Sequence, residues 1–393
     1  MTTRYPEEAK GFRLLGHDPS AAWGCGSLVE IHKGYAYVGS VGGSSGHAPE
    51  GFTVHDVRDP TNPTRVAEFR APPGIHCHKV RIVGEDLLYV NSERLAGEEG
   101  RNARAGFYIF DISVPSRPKQ IGFHDMPGSG PHRFGVDLQR KLAFFPNDAP
   151  GWHKRVIWTM DIRDPLKPDL VSIWGLPWQK AADEGGGDDP MPAETTCTLH
   201  GPPMIRGERM FAAFWGGGIA IIDCSDLKQM ELVGHLQWSP PFPGSNHTCW
   251  PIGDKPYVVV TDEARAKKKY WDAQFMWVID IREESNPIPV ATYFPDREKY
   301  FDRPGRFGAH NILENIPAEG PWSNLVFLTY FNAGLRAVDV SDPLRPKEVG
   351  CYVPAVPEGQ ENIQSNDIGA DEYGRLYLVD RWGAGMHILE YTG

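Results

Sequence analysis

The sequence predicts an all-β chain: a seven-bladed β-propeller of four-stranded antiparallel blades, its last blade closed by the N-terminal strand. Three observations carry this. One text repeats six times, two apolar strand-like runs precede each copy, and the N-terminal residues read like the piece the last repeat lacks. The six copies are "VHDVRDPTNPTRVAEF" from Val54, "IFDISVPSRPKQIGF" from Ile109, "TMDIRDPLKPDLVSIW" from Thr159, "IIDCSDLKQMELVGHL" from Ile221, "VIDIREESNPIPVATYF" from Val278 and "AVDVSDPLRPKEVGCY" from Ala337. Their shared aspartates, Asp56, Asp111, Asp161, Asp223, Asp280 and Asp339, stand 50 to 62 residues apart. A period of that length marks a propeller or solenoid.

Each copy is a hairpin. A β-rich run ends at the aspartate, whose carboxylate can accept backbone N–H groups two residues on. A proline then pre-sets φ for the turn, and a second strand leaves it. These aspartates are therefore turn residues, with no catalytic role. The two strands ahead of each hairpin complete a four-stranded blade. They read "SLVEIHKGYAYVGS" in the first unit, "HKVRIV" and "DLLYVNS" in the second, and "HRFGVDL" and "KLAFFPN" in the third. "MFAAFW", "YVVVTD", "LVFLTYF" and "LYLVDRW" follow in the later ones. The chain is thus one domain over residues 1–393. Blade one spans about 23–73, blade two 74–127, blade three 130–177 and blade four 197–240. Blade five spans about 245–295, blade six 308–355, and blade seven 364–393 together with 11–20. The seventh stops after its third strand, and "FRLLGHDPS" (Phe12 to Ser20) matches the fourth-strand texts "MELVGHLQWS" and "PKQIGFHDM". Closing the ring this way leaves no free sheet edge at the seam.

"AGLRAVDVSDPLRPKEVG" and "RWGAGMHILEYTG" resemble the LVIVD-repeat β-propeller proteins, and the likeness extends over essentially the whole chain. The resemblance implies the fold. It implies no particular reaction, because the family is defined by its repeat.

Composition narrows the function. The 43 glycines and 35 prolines favour turns and short strands. The net charge of −11 argues against a partner that is a nucleic-acid backbone. The short basic run Lys267–Lys269 reads as a solvated loop. No apolar run is long enough for a membrane span, and "MTTRYPEEAKGF" has no signal-peptide core. Six cysteines without a CxxC pair read as reduced thiols, and the expected compartment is the cytoplasm.

The chemistry lies at the starts of the first strands of the blades. "CHKVRIV", "PHRFGVD", "LHGPPMI", "NHTCWPI" and "AHNILEN" put His78, His132, His200, His247 and His310 at one position in five consecutive blades. Blade seven has Asn366 there, and in blade one the position falls near Gly26. First strands line the central channel, so equivalent positions converge on the axis. The symmetry gathers imidazoles that are far apart in sequence. Five converging imidazoles are candidate ligands for a transition metal such as Fe, Cu, Zn or Mn; its identity stays open. Three or four ligands with an open position for water or substrate are expected, rather than all five.

The ends of the second strands lie at the same mouth. They carry Glu93 and Arg94, Asp148, Asp262, Glu263 and Arg265, Tyr330, and Asp380, Arg381 and Trp382. Glu93, Asp148, Glu263, Asp380 and Arg381 are candidates for orienting ligands, moving protons or holding substrate. His76, two residues before His78, is a candidate extra ligand or proton carrier. Cys77 and Cys249, beside ring positions, are expected to turn into the blade packing. His17, His124 and His235, on fourth strands, are expected to be outer-rim surface residues. Long loops on the same face, at 93–106, 148–154, 176–198, 263–274 and 294–308, suggest a lid with Trp178, Trp271, Tyr300 and Phe301 as its aromatics, and "DEGGGDD" (183–189) as a mobile part.

Three functions fit. The first is a metal-dependent enzyme acting on a small organic, possibly aromatic, substrate by oxidation or oxygenation, or by Lewis-acid lyase or hydrolase chemistry. The second is a metal-free lyase or hydrolase using histidine and carboxylate pairs. The third is a scaffold that binds a protein partner through an exposed apolar face.

Overall fold

The computed structural model describes residues 5–42, 48–181, 196–238, 245–264, 274–314, 316 and 319–393. Arg265, Lys267–Lys269, Trp271 and residues 183–189 lie outside them. Seven antiparallel sheets close into a propeller. The strands of each blade are lettered A to D from the axis outward. Blade one is Gly26–His32, Tyr35–Val41, Glu50–Asp56 and Thr64–Arg70. Blade two is Val80–Val83, Leu87–Arg94, Gly106–Asp111 and Lys119–Asp125, with Ile75–His76 pairing to the far end of strand B. Blade three is Gly135–Asp137, Leu142–Asp148, Arg155–Asp161 and Asp169–Trp174. Blade four is Met204–Arg206, Arg209–Ala213, Ile219–Asp223 and Glu231–Leu236. Blade five is Asn246–Pro251, Tyr257–Asp262, Met276–Asp280 and Ile288–Tyr293. Blade six has strands B to D at Leu325–Thr329, Leu335–Asp339 and Lys347–Val353, and its A position is a single bridge from Ile312 to Leu328. Blade seven is Ser365–Ala370, Arg375–Asp380 and Met386–Tyr391, closed by Phe12–Asp18 as strand D.

The N-terminal closure follows the sequence reading. A second N-terminal contact was not legible there: Glu8–Lys10 adds a fifth strand outside strand D of blade six. One stretch of chain therefore ties the last two blades together.

Strand chemistry explains the stacking. Side chains alternate between the two faces of a strand. In a propeller both faces are covered, so both sets must be apolar, and the strands read as continuous apolar runs. Tyr108 and Phe110 join the cluster shared with blade one, while Phe107 and Ile109 join the one shared with blade three. Met210 and Ala212 face blade three, and Phe211 and Ala213 face blade five. Seven such clusters, one per blade interface, form the core of the described residues.

The hairpin grammar is realised in geometry. Asp56, Asp111, Asp161, Asp223, Asp280 and Asp339 accept the N–H two residues on at 2.8–3.1 Å. In each blade the C–D pairing slips by a bulge in mid-strand. The extra residue sharpens the twist that lets blades nest. The repeated strand-D glycine has a steric cause. A Cβ at Gly16 would sit 2.0 Å from the Pro60 carbonyl oxygen, and one at Gly234 would sit 1.8 Å from that of Glu284. Each carbonyl belongs to the C–D turn of the next blade, so only glycine admits that turn.

Candidate functional site

The five aligned histidines meet at one mouth of the axis as a continuous arc. Ring centroids of neighbours are 4.8 Å apart for His78 and His132, 4.7 Å for His132 and His200, 4.6 Å for His200 and His247, and 4.4 Å for His247 and His310. His76 extends the arc by stacking on His78 at 3.6 Å. Asn366 completes it in blade seven. In blade one the position belongs to Ser27, one residue beyond the Gly26 expected from sequence. Gly26 pairs with Ser40 as Ser365 pairs with Asp380, which makes Ser27 the counterpart of Asn366. Together these residues line a cavity of about 240 Å³ with Lys79, Trp215, Glu263, Arg306 and Arg381.

Burial sets the protonation of the arc. His78, His132, His200, His247 and His310 are all pushed well below the ordinary histidine value, by desolvation first and then by each other and by nearby cations. Neutral imidazole is the form that binds a metal. Outer partners then hold the histidines. His310 Nδ1 donates to the Asn366 carbonyl at 2.8 Å, and His247 Nδ1 lies 2.9 Å from the Thr248 hydroxyl. The carbonyl can only accept, so His310 Nε2 presents a lone pair. The Asn91 side-chain oxygen accepts the N–H groups of His78 and Lys79 at 2.9 and 2.8 Å, and its amide nitrogen donates to the His76 and Pro131 carbonyls at 3.2 and 3.1 Å. These bonds hold the backbone of His78 in place, and His78 Nε2 is buried without a partner.

The arc divides into two halves of different character. In one, His132 Nδ1 is 2.6 Å from Glu93 Oε2, Arg155 donates to Oε1 of the same carboxylate, and His76 Nδ1 is 2.9 Å from Glu50. Burial pushes the Glu93 carboxyl up, against Arg155, His76 and Lys79. In this half Glu93 and Glu50 are engaged by hydrogen bonds, and His78 Nε2 is left without a partner. In the other, His200 Nε2 stands 3.6 Å from Glu263 Oε2 and His310 Nε2 stands 3.8 Å from Glu263 Oε1. Those gaps are too long for hydrogen bonds. Arg306 holds Glu263 Oε1 from the far side at 3.0 Å. Each half can present three or more ligand atoms within 4.8 Å of one another: His76, His78, Glu93 and His132 in the first, and His200, His247 and Glu263 in the second.

The remaining sequence candidates separate clearly. Arg381 lines the cavity, donates to Asn366 Oδ1 at 3.2 Å, and is lowered to about 10 by burial and by Arg306. Asp148 and Asp380 do not reach the cavity. Asp148 accepts the backbone N–H and hydroxyl of Ser129, both at 2.9 Å. Asp380 accepts the N–H groups of Gln364, Trp382 and Ala384. Both carboxylates are consumed in shaping strand-B ends. Tyr330 donates to the Gln274 carbonyl, and Asp262 is taken by Asn246 and by Trp277 at 2.6 Å. The expected aromatic lid also differs. Tyr300 binds Glu8, Phe301 packs on Phe307, and Trp178 packs on His235, all away from the cavity. The aromatic wall is instead Trp215, 4.6 Å from the His200 ring, with Phe331 at 4.6 Å behind His310. Both take left-handed backbone angles (φ 47° and 43°), which a non-glycine residue adopts only at a cost. Cys77 and Cys249 pack into blade cores as expected. His17 and His235 are not idle rim residues: each bonds a backbone carbonyl, of Ala384 and Gly217, at 2.7 Å.

Sequence reasoning missed Lys79, Arg155, Arg306 and Trp215. A signal for the first was present in "HKVR" and "HRFG", where a base follows the ring histidine. Beneath the histidines, Arg133 and Arg81 share Glu314, and Arg81 also pairs with Glu30. Arg133 is 1% exposed. On the far side of this network, Glu30, Arg81 and Glu314 line further cavities of about 480 and 540 Å³.

The LVIVD repeat family matches residues 204–237 and 324–353. No curated protein matches the chain. Among solved structures, the chain is similar to U3-55K (TM-score 0.59, 10% identity, covering 96% of this chain and 98% of that one). It is similar to the WD40 repeats of RRP9 (TM-score 0.59, 10% identity, 98% and 99% covered). It is also similar to the periplasmic gluconolactonase PpgL of Pseudomonas aeruginosa (TM-score 0.56, 11% identity, 87% and 96% covered). At these identities the likeness is one of fold.

Proposed function

We propose that this seven-bladed propeller with LVIVD repeats is a metal-dependent enzyme for a small organic substrate, its transition metal held at the axis by His200, His247 and Glu263. One observation carries the reading. Two neutral buried imidazoles and a buried carboxylate converge without hydrogen-bonding one another, at 3.6 Å for His200 and Glu263. Two ligands about 2.1 Å from one metal stand on the order of 3 to 3.5 Å apart, so this gap fits ligands better than a hydrogen bond. Two histidines and a carboxylate form the ligand set of non-heme iron oxygenases, which leaves positions open for oxygen or substrate. Such a metal would supply redox or Lewis-acid chemistry.

The chain's own groups have distinct tasks under this reading. Arg306 orients Glu263, and the Asn366 carbonyl fixes His310 with its lone pair toward the same carboxylate. His78 Nε2, buried and without a partner, is available to whatever occupies the cavity. His132 and Glu93, 2.6 Å apart, can hold and return a proton. That dyad also supports the alternative of metal-free acid–base catalysis, with which the likeness in fold to a gluconolactonase is compatible. A cytoplasmic setting belongs to the proposal and draws support from the six buried cysteines, which form no disulfide. No helix among the described residues is long and apolar enough to cross a membrane.

Crystals of natively purified protein, measured at a metal absorption edge, test the assignment. An anomalous peak bounded by His200, His247 and Glu263 is expected. A peak among His76, His78 and His132 instead, or none after reconstitution with Fe(II), Cu(II), Zn(II) and Mn(II), would contradict it.

A further inference from the structure

The cavity carries more positive charge than its carboxylate can balance. Among the described residues, Lys79, Arg306 and Arg381 line it, and Glu263 is its one carboxylate. Arg306 is spent on Glu263 at 3.0 Å. Lys79 is the telling residue. It is 4% exposed, and its ammonium donates to the Ser27 hydroxyl at 3.1 Å. No carboxylate lies within ion-pair distance of it among the described residues. Charging an amine buried with one neutral partner is costly, so burial pushes Lys79 down to about 7, and such charges are ordinarily paired. Arg381, half-buried, adds a second cation to the cavity lining. Size and lining narrow the occupant further. At about 240 Å³ the space is below that of a drug-sized pocket and has the indole of Trp215 on one side.

We propose that the substrate is a small organic carboxylate, its anionic end held by Lys79 and Arg381 and its apolar body against Trp215. This rests on the enzymatic reading of the same cavity, but not on the metal. The carboxylate supplies the counter-charge that the fold leaves out, and a neutral isostere cannot.

Benzoate and benzamide, equal in size and different in charge, test this by calorimetric titration. Each is measured on protein treated with chelator and on protein reloaded with Fe(II), and inorganic phosphate serves as a third probe. Benzoate is expected to bind at least 10-fold more tightly than benzamide in both preparations. Lys79→Met is expected to lower benzoate affinity 10-fold or more, leave benzamide unchanged, and leave or raise the melting temperature, because it removes an uncompensated charge. Arg381→Gln is expected to weaken benzoate in the same way, and serves if the first variant does not fold. Equal binding of the two probes, binding of neither, tighter binding of phosphate than of benzoate, or variants that leave benzoate unchanged would each overturn the assignment. Because the preference is read in metal-free protein, a failed metal site does not mimic a failed carboxylate site.

Discussion

At the scale of the residue, the two halves of the histidine arc predict different responses to mutation. Glu93 is 8% exposed and serves both Arg155 and His132. Removing one partner of a buried charge pair strands the other. Glu93→Ala is expected to cost about 3 kcal/mol in urea unfolding while metal content stays unchanged. Glu8 gives a pH-dependent case. Burial pushes its carboxyl up, but Lys299, Tyr300 and Arg303 outweigh burial and hold it at about 2. Its folded value lies below the unfolded value of 4.5, so its contribution is present above pH 4.5 and lost as pH falls toward 2. Glu8→Gln is expected to cost about 2 kcal/mol at pH 7 after allowance for partial exposure, and close to nothing near pH 2. Unfolding curves at several pH values check this; a cost independent of pH would contradict it. Positions such as His78 and His247 were legible in sequence because symmetry repeats them. The hold on His78 was not, because it depends on Asn91, whose amide reaches the His78 backbone only once strand B is paired.

At the scale of the element, the blade's hairpin was the most legible feature, and for a local reason. The aspartate, the N–H it binds and the bulge beside it lie within a few residues of one another. Asp161→Ala is expected to cost about 1 kcal/mol, the worth of one turn-closing hydrogen bond, without touching the axial site. Gly234→Ala is expected to cost several times more, since its Cβ would meet the Glu284 carbonyl of the next blade at 1.8 Å. Thermal unfolding of both variants measures the contrast. The loops were the least legible elements. The stretch from Phe294 to Gly308 was expected to bring aromatics over the site, and it delivers Arg306 instead. Tyr300 turns aside because Glu8 provides its hydroxyl with an acceptor, at 2.7 Å and 292 positions away. No local pattern announces such a contact.

At the scale of the molecule, the propeller converts a repeat into a site. Blades packed at seven apolar interfaces hold their A strands at fixed angles about the axis, so one residue per blade becomes a cluster. That rigidity depends on the seam. Deleting residues up to Asp18 removes strand D of blade seven and the fifth strand of blade six, and bares the Met386–Tyr391 edge. The truncated chain is expected to melt about 10 °C or more below the full chain and to aggregate. A melting curve that matches the full chain would contradict the closure. The central claim is that one half of the arc binds a metal and the other does not. Metal content per chain, by mass spectrometry on natively purified protein and on His247→Ala, Glu263→Gln and His78→Ala variants, tests it most directly. The account predicts about one transition metal in the native protein and in His78→Ala, and its loss in His247→Ala and Glu263→Gln. Equal metal in all four, or loss only in His78→Ala, would contradict it.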